Sequence, residues 1–190
     1  MKNIKYLIYI INMLSDLLRS LPYMLAVVEF INGVAENNSE SLFLSLGLLV
    51  GNNFNIIIKY IIKEIFGVNS ITSRPEGARN CGIFNDCSFE KCSSSGMPSG
   101  HTQAIAFWAG FKLKKIFLKE KNWKDRKFSI IGIFIISILT GLGRLSGKYV
   151  GNISTYYDAG CHTPLQVLVG YILGFYMGWK YYDFLSKKLS

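Results

Sequence analysis

Apolar residues fall along this chain in long blocks separated by short polar ones, a pattern that neither strand alternation nor the stripe of a half-buried helix produces. Residues 159-179, 41-58 and 128-143 run without a charge, and such blocks approach the roughly 20 residues a helix needs to cross a hydrocarbon core. Weaker blocks lie at 101-118 and at 21-35, the second interrupted by Glu29. Residues 1-20 hold a short apolar stretch closed by Asp16 and Arg19, which reads either as a first span or as an amphipathic helix lying in the membrane interface. The pattern predicts an all-α polytopic membrane protein: one domain over 1-190, a bundle of five to six transmembrane helices, and an enlarged extracytoplasmic loop layer at 67-100 and 147-161.

Composition agrees and removes other classes. Half of the 190 residues are hydrophobic and 17% are charged, too apolar for a disordered chain, and four cysteines are too few for a small disulfide-stapled scaffold. A net charge of +9 raises the question of nucleic acid. The basic residues, however, cluster between apolar blocks, as in loops flanking membrane spans, so the expected partner is the bilayer and not a nucleic acid. Between 112 and 127, eight lysines and arginines face only Glu120 and Asp125, which puts that loop in the cytosol. Loop 67-100 balances Arg74, Arg79 and Lys91 against Glu76, Asp86 and Glu90 and belongs on the far side. Segment 147-161 then joins it there, and the C-terminus returns to the cytosol. The ending Lys187-Lys188-Leu189-Ser190 resembles the dilysine retrieval signal of endoplasmic reticulum membrane proteins, so the expected location is that membrane, with the two loops in the lumen.

The far-side segments hold the unusual residues. Pro98-Ser99-Gly100-His101-Thr102 opens a predicted helix: Ser99 is placed to cap it, Gly100 admits close backbone approach, and the helix start offers free N–H groups to an anion. His162, the only other histidine, also stands at a helix mouth. There Thr163 and Gln166 form a T-x-x-Q capping box, with Pro164 at the first helical position. A neutral imidazole can attack phosphorus while a protonated one donates to the leaving oxygen. Lys59, Arg74 and Arg144 lie near span ends. Singly each reads as an interfacial anchor; together they suit a clamp on phosphoryl oxygens.

In this order Lys59, Arg74-Pro75, then Gly96-Met97-Pro98-Ser99-Gly100-His101, then Arg144 and His162-Thr163-x-x-Gln166-Val167 resemble the three-part signature of the type 2 phosphatidic acid phosphatase superfamily, over roughly residues 41-180. Gly-Met-Pro-Ser-Gly-His-Thr-Gln and His-Thr-x-x-Gln-Val are most similar to its dolichyl diphosphate phosphatase branch. The resemblance implies a hydrolase that needs no metal and no cofactor and acts on a lipid phosphate or diphosphate. His162 would be the nucleophile, His101 the acid to the leaving group, and Lys59, Arg74, Ser99, Gly100 and Arg144 the phosphate-binding groups. Phosphatidate, a sphingoid phosphate, or an inactive scaffold of the same fold are the alternatives. The spacing departs from the family's. Fourteen residues separate Lys59 from Arg74, which makes Lys63 a competing lysine, and seventeen separate Arg144 from His162. Gln166 stands where many members carry an Asp that orients the nucleophile, with Asp158 as a substitute. Cys81, Cys87, Cys92 and Cys161 coincide with the two stretched segments, and two disulfides among them are expected in an oxidising compartment, with three connectivities open.

Overall fold

The computed structural model describes residues 2–75, 78, 95–119, 122–145, 148–149, 157–158 and 160–189. Five helices carry nearly all of them: α1 (Lys2–Ala35), α2 (Ser39–Phe66), α3 (Gly100–Lys119), α4 (Trp123–Leu145) and α5 (Pro164–Leu189). The short strands β1 (Lys148–Tyr149) and β2 (Tyr157–Asp158) pair antiparallel between α4 and α5.

Three helices are long and apolar enough to cross a bilayer, over Asn12–Ala35, Ser39–Phe66 and Trp123–Leu145. Their outward side chains stay uncovered; Phe30, Ile31, Val34, Ile57, Phe134 and Ile138 are each more than half exposed. In water such a coat would be an aggregation surface, whereas hydrocarbon makes it a natural exterior. The protein is an all-helical membrane bundle.

α3 and α5 form its centre. Gly170, Gly174 and Gly178 recur every four residues along α5, and a Cβ on any of them would overlap α3 at Thr102, Gln103 or Phe107. In return Gly110 of α3 meets the backbone of Phe175 and Trp179. This small-residue seam lets two backbones approach where lipid removes any hydrophobic drive between helices. Around it, Ile105, Phe107, Trp108 and Phe111 of α3 pack with Leu44 and Leu48 of α2 and with Tyr182 and Leu185 of α5.

Polar ties orient the outer helices on this pair. At the end holding the α1–α2 turn, Glu40 pairs with Lys115 (2.8 Å) and with Lys119. Glu29, which interrupts the 21-35 block, faces inward: it accepts from Trp108 Nε1 (2.9 Å) and pairs with Lys112 Nζ (2.8 Å). An ionisable group inside a bilayer is tolerated when paired in this way.

The N-terminal alternatives resolve into one element. Residues 2–35 are a single helix, so among the described residues the bundle has five helices, the lower of the two numbers expected. Pro22 lies within α1, where the Ser20 hydroxyl adds a bond to the Leu17 carbonyl (2.8 Å) in the turn that proline leaves one N–H short. Arg19 does not end the apolar block; it turns into the bundle and is 3% exposed.

Candidate active site

The seam that joins α3 to α5 also sets their first turns side by side. His101 is the second residue of α3, and His162 lies two residues before the start of α5. Ser99 N donates to the Gln166 carbonyl (3.1 Å), and Thr102 Oγ1 donates to the carbonyls of Ser99 (3.1 Å) and Val167 (3.3 Å). Asn55, buried on α2, braces the junction through Nδ2 to Gln103 Oε1 (2.6 Å), and its Oδ1 fills the space where a Cβ on Gly100 would sit. A side chain at 100 would displace the Asn55 amide, and the Gly100 N–H is one of the helix-start donors that have no intrahelical partner.

Ser99 does not cap α3 in the way its position predicts. Its carbonyl accepts the first helical bond, from Gln103 N (3.0 Å), but among the described residues its buried hydroxyl has no hydrogen-bond partner. His101 Nε2 is likewise buried without one. Two such atoms at the mouth of one helix leave donors and acceptors for a polar ligand.

His162 is held by Gln166. The Gln166 amide nitrogen donates to the carbonyls of Ile71 (2.9 Å) and Ser73 (2.6 Å), so Oε1 is the atom turned toward His162 Nδ1, 3.2 Å away. An amide oxygen only accepts, which assigns the imidazole proton to Nδ1 and leaves Nε2 with its lone pair. The predicted capping box is present as well: Gln166 N donates to Thr163 Oγ1 and Thr163 N to Gln166 Oε1, both at 3.3 Å. Gln166 is fully buried and combines the capping role with orientation of the ring. Asp158 lies in β2 with its side chain outside the described set.

The cations converge on both rings. Arg144 ends α4 and is 1% exposed. Arg74 donates from Nη1 to the carbonyl of Cys161 (3.2 Å), the residue before His162. The charges of Arg144, Arg74 and Lys59 act on His101 and on His162 alike. Lys59, rather than the exposed Lys63 one turn further on, is the α2 lysine in this set. Burial first, then Arg144, Arg74 and Lys59, hold the His162 imidazole well below the ordinary histidine range, so the ring is neutral at pH 7. Two residues enter the neighbourhood unannounced by the motifs: Asn55, which bonds to Gln103 at the end of the Gly-Met-Pro-Ser-Gly-His-Thr-Gln run, and Arg19, whose charge also acts on His101.

The long spacings do not pull the site apart, because each added stretch closes at its base. α2 continues past Lys59 to Phe66 and stops at Gly67, whose φ of 69° suits glycine. Asn69 Oδ1 then accepts from the amides of Ile71 (2.9 Å) and Thr72 (3.0 Å) to reverse the chain. Ser73 bridges Ser95, and Gly96 N donates to the Thr72 carbonyl (2.7 Å), closing the first excursion. In the second, Gly160 lies against the Leu145 carbonyl. Cys81, Cys87 and Cys92 lie outside the described residues; Cys161 is fully buried.

A family model described as the PAP2 superfamily matches residues 42–190. The chain belongs to the PAP2 superfamily. No curated protein and no solved structure gives a match. The matched range contains both histidines and the cations of α2, α4 and the first loop, while α1 and Arg19 precede it. Membership in the PAP2 superfamily makes this a membrane phosphatase for lipid-like phosphates.

Proposed function

We propose that the protein hydrolyses a lipid phosphate or diphosphate, with polyprenyl diphosphates of the dolichyl type favoured, through a phosphohistidine on His162 and without a metal. The observation that carries this reading is the Gln166 anchor, which presents His162 as a neutral ring with its Nε2 lone pair available. In the first step Nε2 of His162 bonds to the terminal phosphorus, the bond from phosphorus to the leaving oxygen breaks, and His101 gives that oxygen a proton. In the second, water attacks the phosphorus, its proton passes to His101, and the P–N bond breaks to release phosphate. Lys59, Arg74, Arg144, the Ser99 hydroxyl and the Gly100 N–H neutralise the non-bridging oxygens, the term that dominates phosphoryl transfer.

The lipid leaves on the His101 side. A groove of about 150 Å³ between α1, α2 and α3 is lined by His101, Tyr23, Ala26, Leu48 and Asn52 among others. A larger one of about 350 Å³ between α3, α4 and α5 is almost wholly apolar and contains neither histidine, so the smaller groove suits the alcohol or lipid monophosphate that His101 protonates. The loop charges support a site facing away from the cytosol, and the cysteines support loop disulfides.

The test is phosphate release in detergent, with chelator present, from polyprenyl diphosphate, phosphatidate and diacylglycerol pyrophosphate. The wild-type protein is expected to act on the polyprenyl substrate best, and His162→Ala to abolish release while keeping its helical circular dichroism. Normal turnover by His162→Ala would refute the reading.

A further inference from the structure

Arg19 lies outside the family motifs and outside the range the family model matches, yet α1 delivers it to the site. Leu18 packs on Gly143 so closely that a Cβ there would come within 2.7 Å of the Leu18 Cβ. That contact docks α1 at the level of Arg144, the next residue on α4. One turn along α1 from Arg19, Tyr23 meets the His101 ring edge-on, with centroids 5.4 Å apart. Arg19 and Arg144 are both almost completely buried, and the charges of both act on His101. The smaller groove begins on the same stretch of α1, at Pro22, Tyr23 and Ala26. An ionisable side chain inside a membrane bundle characteristically lines a substrate or ion path, whatever else it pairs with, and Arg19 stands where its charge reaches His101.

The chemistry divides the site into two sides. The oxygens of the transferred phosphate face the cations shared by both imidazoles, and the leaving oxygen faces His101. In a monophosphate that leaving oxygen belongs to a neutral alcohol. In a diphosphate it belongs to a second phosphate whose charge must be met on the His101 side, where α1 supplies Arg19 and Tyr23. We propose that Arg19 binds the second, untransferred phosphate of a lipid diphosphate and thereby selects diphosphates over monophosphates. When the bond from the terminal phosphorus to the bridging oxygen breaks, that oxygen takes the His101 proton, and the lipid monophosphate departs with its remaining charge held by Arg19. A planar guanidinium can meet two phosphate oxygens at once, which lysine cannot.

This proposal rests on the reading of the site as a phosphatase centre, and the experiment separates the two. Binding of inorganic pyrophosphate and orthophosphate to the full-length protein in detergent is measured by calorimetry for wild type, Arg19→Gln and Arg19→Lys. Phosphate release from a polyprenyl diphosphate and the matching monophosphate is measured in parallel. Arg19→Gln is expected to lose about ten- to a hundredfold in pyrophosphate affinity and in kcat/KM for the diphosphate, while orthophosphate and the monophosphate change by less than about threefold. Arg19→Lys keeps the charge and is expected to fall between; it carries the test if Arg19→Gln does not fold. Equal losses for both anions, no loss for either, or no binding of pyrophosphate by the wild type would overturn the proposal. A protein that binds pyrophosphate through Arg19 but releases no phosphate would overturn the hydrolase reading alone.

Discussion

α4 and α5 are adjacent in the chain and of similar length, yet each is specified by a different neighbour. Gly132 on α4 has nothing within 4 Å of the place where a side chain would begin, whereas Gly174 on α5 has the Gln103 carbonyl there. The outward side of α4 needs only to be apolar, because lipid accepts any hydrocarbon shape, and α4 is among the three described helices that hydropathy marks as spans. α5 answers to the fixed surface of α3. Its small residues make it the partner on which the alignment of the two histidines depends.

The sharpest way to break this comparison is to place the same side chain on both helices. Gly174→Leu should separate α5 from α3 and eliminate phosphate release together with cooperative unfolding, since the overlap is with backbone, which cannot move aside. Gly132→Leu should stay within about 0.5 kcal/mol of wild type. Thermal unfolding in one detergent reads both, and equal effects would show that the seam does not discriminate inside from outside.

Charge supplies the next contrast. Glu29→Leu strips the buried partner from Lys112 and from the Trp108 N–H, and should cost about 2–4 kcal/mol. Adding Lys112→Met should return most of that, because an apolar pair replaces an ion pair well in a dry interior. A double variant no more stable than Glu29→Leu alone, by the same unfolding measurement, would assign the pair a specific role in holding α1.

The smallest effect concerns titration. His162 attacks only when neutral, and burial with three nearby cations favours the neutral form, so the acid limb of kcat/KM should lie below pH 6.5. Lys59→Met removes one of those cations and should move that limb upward while lowering the plateau. A limb that stays in place in Lys59→Met would show that the Lys59 charge does not reach the ring in solution.

The bundle and much of the cluster were legible from the sequence for a physical reason. Runs without charge report the lipid solvent directly, and histidines at helix starts carry their chemistry in the local sequence. The single helix α1 was not legible, because hydropathy reads Asp16, Arg19 and Pro22 as endings and has no means of knowing that Arg19 turns inward. Nor was the brace from Asn55 to Gln103, a contact between residues of two helices that stand forty-eight positions apart in sequence. Gln166 was recognised as a cap but not as the anchor of His162. Its second function depends on the carbonyls of Ile71 and Ser73, which arrive from another loop.

The ties between Ser73 and Ser95 and between Leu145 and Gly160 have a consequence for how such a protein can vary. Each tie fixes the two chain ends that flank its segment, so the number of residues between them does not set where the reacting groups stand. An epitope inserted between Tyr149 and Tyr157, inside the β1–β2 pair, is expected to leave phosphate release in place, and an antibody applied from one face of the membrane would then report which compartment the site faces.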